Sequence, residues 1–361
     1  MERFDIIIKN GRIWDGNRFL TDVHDVAVRK GIIEKIGSVS EQSAEYVFDA
    51  KGAVITPGLV DIHTHMRGFS CDAFGFPSEL ACFPFGVTTA ADAGTEKMND
   101  KSMLENLLLN CFMFVLAPIR HNDADLEKTD ELMKRYGERV VGLKVFFDTA
   151  SPEVKDIAPL KKICDYAHAR GLKVMVHSSG SPVPMRELFD ALEQGDICTH
   201  IFHGGVNSIA DDFSVFEKAF NKGIILDAGM AGGVHTDFMI ARQAIEQGLL
   251  PHTISTDITR ASAFVRGGIY GMTLAMSMMR EFGMSEEKIY RAITDSAAKA
   301  LGQEHCCGRL EVGRTADIAV IHYTKNSFDI SDKRGNNVKS EWGYQCLLTV
   351  RQGQVVYRSC I

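Results

Sequence analysis

From Val54 onward, short apolar runs are separated by stretches of helical periodicity, an alternation that predicts a parallel sheet covered by helices. The candidate strands are Val54–His65, Gly86–Gly94, Asn110–Ile119, Val140–Asp148, Gly171–Ser179, Asp196–Gly204, Gly223–Met230 and His252–Asp257. Residues near their ends, at 63, 88, 117, 144, 177, 200, 227 and 257, recur every 23 to 33 positions. An α/β (β/α)8 barrel has this rhythm, and a doubly wound open sheet shares it. The chain ends read differently. Asp5–Lys9, Val26–Val28, Ile32–Ile36 and Tyr46–Asp49 are short β-type runs between the turns Asn10-Gly11, Asp15-Gly16 and Lys30-Gly31. Beyond a helix at about Ser285–Gly302 the β texture returns in Ile318–His322 and Leu347–Tyr357. The expected division is therefore a barrel over 55–306 flanked by one small β-sandwich built from 1–54 and 307–361, since chain ends often lie close together.

The composition narrows the partners. Of 361 residues, 24% are charged and 45% hydrophobic, so the chain can bury a large core and is not disordered. The net charge is −7 with no Lys/Arg-rich run, which argues against nucleic acid or an anionic membrane and for a small-molecule ligand. Nine cysteines without paired spacing point to a reducing compartment. Met1–Arg12 lacks the features of a secretory leader, and Cys111–Ile119 falls far short of the roughly 20 apolar residues of a membrane helix. A cytoplasmic protein is expected, and a homo-oligomer is compatible with the sequence.

Polar residues at the ends of barrel strands point at the active site, whereas mid-strand residues fill the core. His63, His65, His177, His200 and Asp257 all fall at such ends. His63-Thr64-His65 is the strongest element, because side chains two apart on a strand share a face and both imidazoles can reach one cation. Lys144 lies in the apolar run Val140–Phe147, where a bare ammonium is costly unless neutral or paired, with Asp148 as an available carboxylate. A neutral amine there could instead take up carbon dioxide as a carbamate, an anionic oxygen ligand. Cys71, Cys82 and the Met272–Met279 segment read as packing.

The chain resembles the amidohydrolase superfamily, in its dihydroorotase-like branch, closest to the deacetylases of N-acetyl amino acids and acetylated hydroxy acids. The resemblance rests on Thr56–His65, Gly86–Gly94, Gly142-Leu143-Lys144, Val176-His177-Ser178, Thr199-His200, Ser255-Thr256-Asp257 and Gly313–Asp317. It implies a (β/α)8 barrel with a flanking β-sandwich and two divalent metals, usually zinc, bridged by carboxylated Lys144. By that resemblance His63, His65 and Asp257 hold one metal, and His177 and His200 the other. Imidazole with carboxylate suits zinc, less often manganese or iron. Such a pair lowers the pKa of a bridging water, the resulting hydroxide attacks a carbonyl, and Asp257 serves as the catalytic general acid and base.

The resemblance also has gaps. The deacetylase Gly-His-Gly turn after the seventh strand is Ala228-Gly229-Met230-Ala231 here, and Asp-Leu-His after the eighth is Asp257-Ile258-Thr259. His203 and His235 lie near enough to substitute or to contact substrate. Arg67 completes a dihydroorotase-like His-Thr-His-Met-Arg, where a planar guanidinium would grip a carboxylate, and Arg260 and Arg266 are weaker candidates of the same kind. The expected reaction is hydrolysis of a C–N amide, or an ester, of a small acylated acid. The alternatives are a cyclic amidase resembling dihydroorotase or hydantoinase, a deaminase of a purine-like ring, and a non-catalytic scaffold that has lost its metals.

Overall fold

The computed structural model describes residues 3–21, 24–40, 44–67, 75–95, 108–117, 123–265 and 270–360. Seven parallel strands follow one another in chain order: Leu59–Thr64, Val87–Ala93, Asn110–Leu116, Val140–Phe146, Lys173–His177, Ile197–Thr199 and Ile225–Asp227. Almost every residue in them is buried, as expected for strands covered on both faces.

The eighth segment does not form a regular strand. Thr253 bridges Asp227 and Ile258 bridges Thr64, both in parallel, so this segment spans from the seventh strand back to the first. The Asp257 backbone N–H donates to the His63 carbonyl, and that of Ala228 donates to Thr253. Asp257 itself adopts a left-handed φ of +47°, which interrupts the ladder at the residue of chemical interest.

Intervening helices pack their apolar faces on the sheet. Asp237 caps the helix Phe238–Glu246, its carboxylate accepting from the Met239 and Ile240 N–H groups. The methionine-rich stretch is the buried helix Met272–Glu281. The single helix expected at 285–302 is two, Glu286–Ala292 and Asp295–Leu301. Among the described residues, no helix is long and apolar enough to cross a membrane.

Both chain ends supply the flanking β structure. A four-stranded sheet runs in the order Ile32–Ile36, Val26–Arg29, Phe4–Lys9, Ala44–Asp49. A five-stranded sheet runs Gln354–Arg358, Asn337–Arg351, Ile318–Ser331, Val54–Pro57, Arg12–Ile13. One apolar cluster joins the two, with Ile8 and Val28 from the first meeting Ile55, Val320 and Leu348 from the second. Residues 54–57 thus pair with Ile318–Ile321 of this sheet, so the expected strand Val54–His65 divides at Gly58. The expected run Ile318–His322 is longer too. It continues to Ser331, pairs with Asn337–Arg351 as a hairpin, and carries its tip to the barrel mouth, where Asp332 accepts from the Phe238 N–H.

Candidate metal centre

Six side chains, five from strand ends and one, His235, from the loop after the seventh strand, converge in two groups. His63, His65 and Asp257 form one, and His177, His200 and His235 the other. Within each group the donor atoms lie within 4.8 Å of one another. Asp257 links the two: its Oδ1 is 3.0 Å from His65 Nε2 and 3.3 Å from His63 Nε2, while its Oδ2 is 3.9 Å from both His200 Nε2 and His235 Nε2.

Each imidazole has one nitrogen engaged from outside, which fixes the ring and leaves the other for a ligand. His63 Nδ1 lies 2.9 Å from Thr199 Oγ1, whose hydroxyl donates to Asp227 at 2.7 Å. Asp227 also accepts from Thr253 and Ser255, so one buried carboxylate ties the sixth, seventh and eighth strand ends beneath His63. His65 Nδ1 is 3.4 Å from Thr95 Oγ1. Ser179 Oγ lies 2.7 Å from His177 Nε2 and 3.0 Å from His235 Nδ1, and can accept from both. His200 Nδ1 donates to the Gly229 carbonyl at 2.6 Å. That contact needs glycine, because a Cβ there would sit 2.2 Å from Thr199 Oγ1 and 2.6 Å from His200 Nδ1.

Two of the converging residues have an uncommon backbone conformation. His200 at φ +63° and Asp257 at φ +47° are non-glycine residues in the left-handed region, and both belong to the six converging side chains. Asp61 holds the eighth segment in place, accepting from the Thr256 hydroxyl at 2.6 Å and from its N–H. Burial raises the Asp61 carboxyl to about 7 against these hydrogen bonds.

The electrostatics suit ligation. Burial lowers His63 to about 4 and His235 to about 3, and it lowers His177 and His200 as well. Burial alone would raise the Asp257 carboxyl, but the imidazoles of His63, His65 and His235 outweigh it and hold the carboxyl well below its ordinary value. Neutral imidazoles facing an ionised carboxylate are the protonation states that a divalent cation requires. The donor set of nitrogen with one carboxylate oxygen fits zinc-like ions.

Lys144 is 4% exposed, and its Nζ donates to His63 Nε2 at 3.0 Å. Burial lowers its amine to about 8, against the pull of Asp257, Asp227 and Asp92. The sequence suggested Asp148 as its partner. Asp148 instead faces His177 Nε2 at 3.5 Å, because it lies past the end of the fourth strand while Lys144 points into the barrel.

His235 is the main surprise of the site. The sequence offered it as a substitute for the missing turn histidine or as a substrate contact, and its ring centroid lies 4.3 Å from that of His200 and 5.0 Å from that of His177. His203 is buried nearby, outside both groups. Arg260 is exposed. The Arg67 backbone belongs to the short strand Met66–Arg67, while its side chain, like Cys71 and Arg266, lies outside the described residues. Thr199, Asp227, Ser255 and Ser179 were missed, although a polar residue at each of these strand ends was a readable signal.

Comparison with known proteins gives a consistent result. A model of the Amidohydrolase family matches residues 54–356. A deacetylase of Agrobacterium fabrum is 30% identical over 329 residues, covering 85% of this chain and 80% of the relative. The crystal structure of a dihydroorotase superposes with a TM-score of 0.86 at 24% identity over 98% of each chain. That of an adenine deaminase gives 0.83 at 22% identity, covering 99% of this chain and 100% of the other. At these identities the two solved structures establish a shared fold, a TIM-type barrel.

Proposed function

The chain belongs to the amidohydrolase family, and from that premise we propose that it is a metal-dependent hydrolase of a carbon–nitrogen amide, or an ester, in a small acylated acid. The observation that carries the proposal is the place of Asp257, a buried carboxylate whose Oδ1 faces His63 and His65 and whose Oδ2 faces His200 and His235. In this reading 55–306 is the catalytic barrel, and the sheets of 1–54 and 307–361 form one β-sandwich beside it.

His63, His65 and Asp257 would hold one divalent cation, and His177, His200 and His235 a second, with zinc the best match to the donors. Two such cations supply Lewis-acid activation of water and of a carbonyl group. Lys144 is suited to join them: its amine, lowered to about 8, adds to carbon dioxide with loss of a proton and becomes an anionic oxygen donor. Asp257 takes the proton of the attacking water and delivers it to the departing nitrogen or oxygen. Thr199 and Asp227 keep the His63 proton on Nδ1, and Ser179 orients the rings of His177 and His235. Arg67 and Arg260, each within three residues of a proposed ligand, are assigned as further contacts at the rim.

The deacetylase relative favours acyl release over ring opening or deamination. The test is to incubate the zinc-loaded chain with N-acetyl amino acids, a cyclic diamide and an aminopurine, following acetate, ring opening and ammonia separately. Acetate release is expected. Ammonia from the purine alone, or ring opening alone, would transfer the chain to another branch of the family.

A further inference from the structure

Beside the group His177, His200 and His235 lies a cavity of about 330 Å³ whose lining includes His235 and Ser179. One wall comes from the loops after the sixth and seventh strands. The other is the hairpin tip Asp332–Arg334, roughly a hundred residues further along the chain. The tip is fastened at this position. Asp332 accepts from the Phe238 N–H, and Arg334 Nε pairs with Asp237 at 3.1 Å. Gly204 leaves room for that pair, since a Cβ there would meet Asp237 Oδ2 at 2.5 Å and Arg334 Nε at 2.7 Å.

The three carboxylates around the cavity are already engaged. Asp237 Oδ1 caps a helix while its Oδ2 holds Arg334. Asp332 accepts from Phe238, Arg334 and Asn336. Asp148 accepts from the Ala150 N–H and faces His177.

The remaining capacity consists of donors. His203 is 1% exposed, and its Nδ1 accepts from the Gly205 N–H at 3.2 Å, so the ring proton sits on Nε2. That buried Nε2 has no hydrogen-bond partner among the described residues. An orphaned buried donor is unfavourable, so an acceptor that reaches it from the cavity is favoured. Lys333 is exposed and has no ion-pair partner among the described residues, and Arg334 keeps its terminal nitrogens beyond Nε.

We propose that this cavity is a carboxylate subsite, in which His203 Nε2, the Lys333 ammonium and the Arg334 terminal nitrogens bind the acid group of the acylated substrate. It rests on the hydrolase reading and deepens it, because the hairpin of the C-terminal sheet then selects acids over neutral amides. A substrate held there directs its acyl group past His235 toward Asp257.

The test uses the zinc-loaded full chain and two probes of nearly equal shape, N-acetylglycine and the neutral N-acetylglycinamide. Calorimetric affinities and acetate release are measured for each. The acid should bind about tenfold or more tightly than the amide. Lys333→Ala, at an exposed position, should cut that preference about fivefold, and Lys333→Glu should abolish it, with amide binding and metal content unchanged. Equal affinity for the two probes, binding of neither, or an unaltered preference in both variants overturns the subsite. The two readings fail separately. Equal acetate release from both probes removes the subsite and leaves the hydrolase, whereas preferential acid binding without acetate release does the reverse.

Discussion

The barrel mouth holds two polar regions built on opposite principles. The imidazole groups are buried and come from strand ends, the half-buried loop residue His235 excepted, and have their outer nitrogens tied down by Thr199, Thr95, Ser179 and Gly229. The cavity at the hairpin tip is partly exposed, is closed by a distant part of the chain, and leaves a buried His203 nitrogen without a partner among the described residues. The contrast is physical. Ligands to a cation need fixed geometry, which strands provide, whereas substrate selection tolerates a wall borrowed from the flanking sheet.

The largest expected effect comes from breaking the link between the two imidazole groups. Asp257→Asn keeps the size but removes the charge and the proton acceptor, and should lower kcat/KM by about 10²–10⁴-fold or more. Steady-state kinetics at saturating zinc check this, and turnover within threefold of the parent would remove Asp257 from the chemistry. Next is Lys144→Ala, which should abolish activity, with partial recovery on adding a short carboxylic acid. Recovery should be absent in Asp257→Asn. In the parent, reactivation of decarboxylated protein by bicarbonate should steepen as pH rises through about 8, where the buried amine becomes neutral. A flat profile would argue against a carbamate.

Smaller effects sharpen the contrast between fixed and borrowed walls. Asp227→Asn weakens the support beneath His63 without touching a ligand, and should reduce metal affinity by about 10–100-fold. Competition with a chromophoric chelator reads it directly. Lys333→Ala should leave that affinity alone.

The metal-free chain should also lose stability on acidification. His63 and His203 are lowered to about 4 and His235 to about 3, so between those values and the ordinary 6.5 the unfolded chain binds more protons. Stability therefore rises with pH across that window and is lost as pH falls through it. Asp61, raised to about 7, opposes this with a single group. Urea unfolding at pH 7 and pH 5 measures the sum, and greater stability at pH 5 would contradict it.

Much of the proposed ligand set was legible because a histidine or aspartate ending an apolar run has few other reasons to be there. Lys144 was conspicuous for the same reason, a cation amid Val140–Phe147. Its neighbours were not, since Asp148 is close in sequence but faces His177, while His63 is 81 residues away and faces the amine. The eighth strand looked regular in sequence, yet the left-handed turn at Asp257 breaks it. His235 was obscured because it sits beyond the seventh strand in a loop, where periodicity carries no information about direction. The hairpin tip was illegible for a different reason. Its outer strands alternate exposed polar residues, so their length and target depend on packing against Met272–Glu281 and on the Asp332–Phe238 contact.

The central claim is that six side chains hold a pair of divalent cations, and metal stoichiometry tests it most directly. The apoprotein, titrated with zinc and analysed by native mass spectrometry, should bind two ions per chain, falling to one when His200 and His235 are both replaced by alanine. Binding of no zinc by the parent, or of two ions by the double variant, would contradict the account.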